Sequence, residues 1–326
     1  MKRDGAHPAC AVVFGGAGFI GTHLVQRLRQ QGVEKVVSVD IAEPEKPVSG
    51  VDYIFADVRS QIPLDMVDQA PSIYDLSAVH RTPGHPDRDY YETNVAGALN
   101  IAEFARKTGA TSIVFTSSIA VYGPSEELKS EDSVPRPISA YGWSKLLAEN
   151  VYRQWSEGAR AQLVIVRPAV VFGKGENGNF TRLAGALEKR MFVYPGRTDT
   201  VKSCGYVGEL LRSMEFVLGL GEQYALYNFC YPERSTISEI CKALEEVAGL
   251  PRPVGAIPMG LLNLAAMPFE AASSLGLRNP INRERIAKLV TSTNIKPGYL
   301  STHSYHFETD LRAGLALWEK DAGGFR

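Results

Sequence analysis

From residue 10 to residue 172, short apolar runs alternate with stretches whose apolar residues recur every three to four positions, which predicts a parallel sheet covered by helices. Runs rich in Val, Ile, Phe and Tyr at 10–14, 36–40, 53–56, 72–76, 113–117 and 163–167 read as strands. Helical spacing covers 18–30, 91–108 and 141–155. Right-handed crossovers between such strands bring their carboxyl ends to one edge, where open α/β sheets bind their ligands. After Phe172 the rhythm weakens. Turn residues cluster at 173–178 and 194–200, isolated helical patterns appear at 180–190, 208–218 and 235–247, and an amphipathic helix is expected at 311–318. The expected division is a sheet domain over 9–176, rejoined by about 206–230, and a smaller mixed α/β domain from 177–205 and 231–320.

At 326 residues the chain can bury a large core without staples. Lys and Arg number 35 against 36 Asp and Glu, so no excess of positive charge favours nucleic acid or an anionic membrane. Cys10, Cys204, Cys230 and Cys241 form no Cys-x-x-Cys pair and read as reduced thiols. The polar start, Met1 to Pro8, carries no export pattern, so a cytoplasmic location is expected. The apolar stretch 260–277 contains Pro268 and Glu270, and reads as a buried or amphipathic helix instead of a membrane span. His303 and His306 lack a third ligand, and no metal is expected.

Two motifs carry chemistry. Gly15-Gly16-Ala17-Gly18-Phe19-Ile20-Gly21 follows a strand and opens a helix. Gly15 suits a tight turn, Gly18 lets backbone approach a pyrophosphate, and Gly21 allows close packing of helix on sheet. The helix N-terminus then offers unpaired N–H groups to the phosphates. Asp40, about 20 residues on, ends the second strand, where a carboxylate accepts from an adenine ribose and repels a 2′-phosphate, favouring NAD over NADP. A turn-capping Asp40 is the alternative. The second motif, Tyr141-Gly142-Trp143-Ser144-Lys145, sets a phenol and an ammonium one helical turn apart. A tyrosine of pKa about 10 is a poor base at neutral pH until a nearby cation stabilises its phenolate. Upstream, Phe115-Thr116-Ser117-Ser118 ends a strand with hydroxyls at the ligand edge.

Together, Gly15 to Gly21, Ser118, Tyr141 and Lys145 resemble the extended short-chain dehydrogenase/reductase superfamily, in particular its NAD-dependent nucleotide-sugar epimerases and dehydratases. The resemblance implies a Rossmann-type doubly wound parallel sheet with a smaller C-terminal substrate domain. It implies that NAD is held by Gly15, Gly18, Phe19, Ile20, Gly21, Asp40, Asp57, Val58, Leu76, Ala78, Asn94, Tyr141, Lys145 and Pro168. By the same resemblance Ser118 would bind the reacting sugar oxygen, Tyr141 would move its proton, and Lys145 would hold the nicotinamide ribose and depress the tyrosine pKa. A nucleotide-diphosphate sugar would meet Ser118, Asn179 near the diphosphate, and Lys202, where relatives usually carry Arg. His80, after the fourth strand, could reach the same pocket, and Arg283 and Arg285 could meet a diphosphate. Helices 91–108 and 141–155 would pair with a second copy to form a homodimer.

Sugar dehydratases of this superfamily place acids just after the active-site hydroxyl; Ile119 and Ala120 stand there instead, and neither can move a proton. An epimerase working through a transient 4-keto sugar, or a 4-ketoreductase, remains, and the NAD preference implied by Asp40 tilts toward the epimerase. An NAD-binding regulator without catalysis and a steroid-type dehydrogenase are the readings from other classes.

Overall fold

The computed structural model describes residues 8–81, 84–258, 260–261 and 290–325. In chain order the first elements are β1 (Cys10–Phe14), α1 (Phe19–Gln30), β2 (Lys35–Asp40), β3 (Val51–Phe55) and β4 (Ser72–Asp75). A short helix α2 (Asp87–Tyr91) runs through a π-helical turn at Glu92–Ala96 into α3 (Gly97–Thr108). Then come β5 (Ser112–Thr116), β6 (Ser125–Lys129), α4 (Ala140–Ala159), β7 (Gln162–Pro168), β8 (Val170–Phe172) and α5 (Asn179–Glu188). The remainder includes β9 (Tyr194–Pro195), β10 (Cys204–Tyr206), α6 (Val207–Gly219), β11 (Tyr224–Phe229), α7 (Ile237–Ala248), β12 (Ala256–Ile257), β13 (Thr293–Ile295) and a last helix Leu311–Ala322.

Seven parallel strands form the main sheet in the order β11-β7-β5-β4-β1-β2-β3. The chain runs outward from β1 to β3, then restarts at β4 on the other side of β1. That reversal is the switch point of a doubly wound sheet, and it opens a crevice at the carboxyl ends of β1 and β4. Phe14 pairs with both Val39 and Asp75, so the glycine loop, Asp40 and the end of β4 share one edge. Every residue of β1 is buried, as a strand covered on both faces requires. Val12, Phe14, Ile73 and Phe115 pack with Ile101, Phe104, Tyr152 and Trp155 of α3 and α4, while Val13, Val114 and Val164 pack with Leu24, Leu28, Leu210 and Met214 of α1 and α6. A separate cluster around Phe172, Phe180, Leu244, Leu315 and Trp318 forms the core of the smaller part.

Several strands fall outside the six expected ones, and two of them bear on the site. One is β11, the seventh of the main sheet, whose Tyr-Ala-Leu-Tyr-Asn-Phe run pairs with Leu163 to Pro168 of β7. β6, paired with β13, consists of Ser-Glu-Glu-Leu-Lys and has no apolar face by which a periodicity argument could find it. The helix expected at 311–318 extends to Ala322, with an Asp310 side-chain cap on the Ala313 N–H. All four cysteines are buried and unpaired. Among the described residues no helix is long and apolar enough to cross a membrane.

Helix α4 is fixed to the sheet by charge as well as by packing. Glu149, fully buried, accepts from Arg167 Nε at 2.8 Å and Nη2 at 2.6 Å and from Ser117 Oγ at 2.5 Å. Arg167 also donates through Nη1 to the Tyr122 hydroxyl at 2.8 Å, which in turn donates to Asn228 Oδ1. One ion pair thus joins α4 to the ends of β5, β7 and β11. A buried pair broken on one side leaves an uncompensated charge, and that costs about 3–5 kcal/mol. Glu149→Gln is therefore expected to lower the unfolding free energy by about 3 kcal/mol or more in urea titrations; a loss typical of a surface pair would contradict this account.

Candidate active site

The edge of the sheet is built for a dinucleotide. Gly15 has φ +77°, and a Cβ there would lie 2.8 Å from the Leu76 carbonyl carbon and the Ser77 nitrogen, so only glycine makes the turn beside β4. A Cβ on Gly21 would lie 2.1 Å from the Gly15 carbonyl oxygen. Helix α1 begins at Phe19 with Gly18 as its cap, without a side-chain cap bond and without an acid in its first turn. Its first N–H groups and positive dipole end therefore face the loop free for an anion.

Asp40 has two backbone partners. Its Oδ2 accepts from the Ala17 N–H of the glycine loop at 3.0 Å and its Oδ1 from Ala42 N–H at 3.1 Å. It therefore caps a turn, and it also ties the ribose side of the site to the phosphate loop. Beside it lies a cleft of about 390 Å³ lined in part by Ser38, Asp40, Pro44, Tyr53 and Phe55. The Ser38 hydroxyl is buried without a hydrogen-bond partner. Asp57 receives the Arg59 guanidinium, which holds its carboxyl below the usual range, and Val58 packs under Gly97 of α3. Leu76 and Ala78 follow β4, half-buried, and Pro168 is the buried last residue of β7. These residues fit NAD, with the loop at the pyrophosphate and Asp40 at a ribose.

Asn94 sits in the π-helical turn, and its side chain is committed to the protein. It accepts from Val79 N–H at 3.0 Å and donates to the Val79 carbonyl at 3.2 Å and to Ser144 Oγ at 2.8 Å. Asn94 thereby clamps the chain after β4 onto α4.

The three catalytic candidates meet at this edge. Ser118 caps a 3₁₀ turn, Ile119–Tyr122, by accepting from Ala120 N–H at 3.1 Å, and its hydroxyl lies near enough to the Tyr141 phenol to lower the phenol's pKa. Ser139 caps α4 on the Gly142 N–H, so Tyr141 lies in the first turn of that helix. One turn on, Lys145 is 2% exposed, donates to the Thr116 carbonyl at 2.9 Å and lies 4.8 Å from the Phe115 ring centroid.

Burial pushes the Tyr141 phenol up, the Ser118 hydroxyl offsets part of this, and Tyr90 adds to the rise. The Lys145 ammonium, one helical turn from the phenol, donates to the Thr116 carbonyl. Desolvation takes Lys145 itself down to about 8, against the pull of Asp75 and Glu149.

The substrate candidates scatter. His80 is exposed at the rim; desolvation lowers its imidazole pKa, and the charges of Arg81, Lys145 and His85 act in the same sense. Asn179 opens α5 and accepts from Arg182 Nη2 at 3.0 Å. Lys202 donates to the Thr291 carbonyl at 2.8 Å and is taken down to about 8 by desolvation, partly countered by Glu126. Arg283 and Arg285, with 262–277 of the apolar stretch, lie outside the described residues. Sequence reasoning passed over Asp75, Ser117, Tyr122, Glu149 and Tyr152. The signal was available for two of these, since Glu149 and Tyr152 continue the face of α4 begun by Tyr141 and Lys145.

The model of the NAD dependent epimerase/dehydratase family matches residues 11–230, and the chain belongs to that family, with NAD as cofactor. N-acetyl-alpha-D-glucosaminyl-diphospho-ditrans,octacis-undecaprenol 4-epimerase of Escherichia coli O157:H7 is 29% identical over 316 residues, spanning 93% of this chain and 92% of the relative. UDP-glucose 4-epimerase 3 of Oryza sativa subsp. japonica is 29% identical over 303 residues, spanning 78% and 80%. Among solved structures, MoeE5 in complex with UDP-glucuronic acid and NAD has a TM-score of 0.72 and 25% identity over 95% of this chain and 99% of that one.

The Lys145 shift has a sign that can be measured. Below about pH 8 the lysine is charged in both folded and unfolded chains and the fold carries the full cost of burying it; as pH rises toward the ordinary lysine value, the folded state releases its proton first and stability increases. Lys145→Met should therefore stabilise the cofactor-free protein by about 1–3 kcal/mol at pH 7 and flatten its stability between about pH 8 and 10 while abolishing turnover. Thermal unfolding across that range checks both.

Proposed function

We propose that this chain is an NAD-dependent nucleotide-sugar epimerase that inverts one carbon through a transient 4-keto sugar, with Tyr141 as acid/base. The observation that supports it most directly is the Ser118 hydroxyl set beside the Tyr141 phenol at the same edge as the glycine loop, with a buried ammonium one turn behind. Tyr141 takes the proton of the sugar hydroxyl as the carbon is oxidised and returns it when the ketone is reduced. Ser118 holds that oxygen in place through the turnover. Bound NAD⁺ supplies the hydride acceptor and a positive charge, which brings the raised Tyr141 pKa back into range. Lys145 holds a ribose hydroxyl and adds to the same field.

Ile119 and Ala120 form the 3₁₀ turn after Ser118 and contribute no acid there, so water elimination has no proton donor at that place. The likeness to several 4-epimerases favours epimerisation over a one-way ketoreductase. An intact Ser118, Tyr141 and Lys145 disfavours a silent NAD-binding regulator, and no described residue argues for a sterol. The part formed by 177–205 and 231–320 is taken as the substrate side, the remainder as the NAD side. A cytoplasmic location follows from a nucleotide-sugar substrate.

A second reading keeps the chemistry and changes the carrier. The relative matched over nearly its full length acts on a polyprenyl-diphosphate sugar, and here Lys202, a point charge already bonded to Thr291, stands where a bidentate Arg would grip a nucleotide diphosphate. Purified protein should interconvert a UDP-hexose or UDP-N-acetylhexosamine without added NADH, followed by chromatography of the sugar epimers. Tyr141→Phe should retain NAD and lose about 100-fold or more in turnover. Conversion of a polyprenyl-diphosphate sugar alone would select the second reading, and full activity in the Tyr141 variant would remove the mechanism.

A homodimer through α3 and α4 is part of the proposal. Leu99, Trp143 and Leu147 are 55%, 47% and 41% exposed although they are large and apolar, and Trp143 and Leu147 stand one turn apart on one face of α4. Leu147→Glu should convert a dimeric mass in light scattering to a monomeric one, and an unchanged mass would place the interface elsewhere.

A further inference from the structure

We infer that Asp75, held by Tyr152, is the counter-ion of Lys145 and acts as a positioning residue that keeps the lysine charged under the nicotinamide site. The inference rests on the reading that Lys145 works as a cation beside Tyr141, and it assigns a function to a buried acid outside the motif residues.

The argument begins with the charges on the floor of the site. Four buried ionisable side chains lie along this edge, Asp75, Lys145, Glu149 and Arg167, each at most 3% exposed, and Asp75 pairs across the sheet with Phe115, over whose ring the Lys145 ammonium stands at 4.8 Å. Buried charges are retained where they are paired. Glu149 and Arg167 satisfy each other through two short bonds, and Ser117 and Tyr122 fill further sites on the pair. That leaves one carboxylate and one ammonium. Asp75 is in no direct ion pair among the described residues; it accepts from Tyr152 Oη at 2.6 Å, Ser77 N–H at 3.0 Å and Ser77 Oγ at 2.5 Å. Lys145 is bonded to a neutral carbonyl. A lysine desolvated this fully needs a negative field to stay protonated, and Asp75 is the acid left to supply it.

The sequence arranges this. Tyr141, Lys145, Glu149 and Tyr152, spaced four, four and three apart, lie along one face of α4. Each finds its partner on the carboxyl edge of the sheet: Ser118 and Thr116 at the end of β5, Arg167 on β7 and Asp75 on β4. Tyr152 therefore fixes Asp75 by a bond from the helix that carries Lys145. The charged and titratable groups around Lys145 are Asp75 on β4, His80 on the loop after it, Arg167 on β7, and Tyr141, Glu149 and Tyr152 on its own helix. Of the two acids that raise its pKa, Asp75 is the stronger.

Two variants move the lysine in the same direction by different routes. Asp75→Asn removes the charge and keeps the shape, and should lower the Lys145 midpoint by about one pH unit or more. Tyr152→Phe keeps the charge and removes the bond that fixes the carboxylate, and should lower the midpoint by a smaller step. The midpoint is read from the ¹³Cε resonance of Lys145 in ¹³C-lysine-labelled protein with its NAD, assigned by its disappearance in Lys145→Met. The alkaline limb of the turnover profile should follow each shift while KM stays close to its original value. A midpoint within about 0.3 pH unit of the unaltered protein in folded Asp75→Asn overturns the inference. If that variant does not fold, an unmoved or raised midpoint in Tyr152→Phe overturns it. Absence of epimerase activity in the unaltered protein would defeat the functional reading and leave the lysine titration to be read separately.

Discussion

The ion pair between Glu149 and Arg167 is the constraint around which the site is arranged. A guanidinium and a carboxylate with no exposed surface between them can persist only if their geometry is nearly ideal and their remaining donors and acceptors are filled. Ser117, Tyr122 and Asn228 do the filling, and these residues come from the ends of β5 and β11 and from the turn after Ser118. Rotating α4 by one residue would remove Glu149 from Arg167 and Tyr141 from Ser118 together. The rigidity that holds the catalytic helix in register is thus electrostatic at its centre and hydrophobic around it, with Phe115, Tyr152 and Trp155 packed alongside.

That arrangement places Lys145 in a costly position. Its ammonium is desolvated by the same packing that fixes the helix, while its nearest acid in sequence, Glu149, is already neutralised by Arg167. Stability and function therefore pull against each other at this residue. A less polar side chain would suit the fold, and only a cation suits the chemistry at Tyr141. The raised phenol points the same way: burial dominates at Tyr141, and a phenolate there would need positive charge close by.

How much of this could be read from the sequence follows from the range of the interactions. The sheet strands β1, β2, β4, β5 and β7, the glycine loop and the Tyr141–Lys145 turn are specified by residues close in sequence, through periodicity, backbone freedom and helical spacing. β6 was illegible because its pairing with β13 spans more than 160 residues and leaves no apolar pattern on either strand. Asn94 shows the limit for side chains. Its position was visible, but its use was not, because Val79 and Ser144 take its hydrogen bonds and the π-helical turn that aims it is a feature of the folded chain. Asp75 was hidden for a related reason: an acid within an apolar strand reads as a strand end until Tyr152, 77 residues away, is seen to hold it.

The two halves of the site also differ in how firmly their polar groups are committed. On the cofactor side, the first N–H groups of α1 have no protein partner, so a ligand gains their hydrogen bonds without breaking others, while Asp40 already accepts from two backbone N–H groups. On the substrate side, Lys202 is bonded to Thr291 and Asn179 to Arg182. A diphosphate that recruits either residue must exchange an existing bond for a new one, and the net gain is correspondingly smaller.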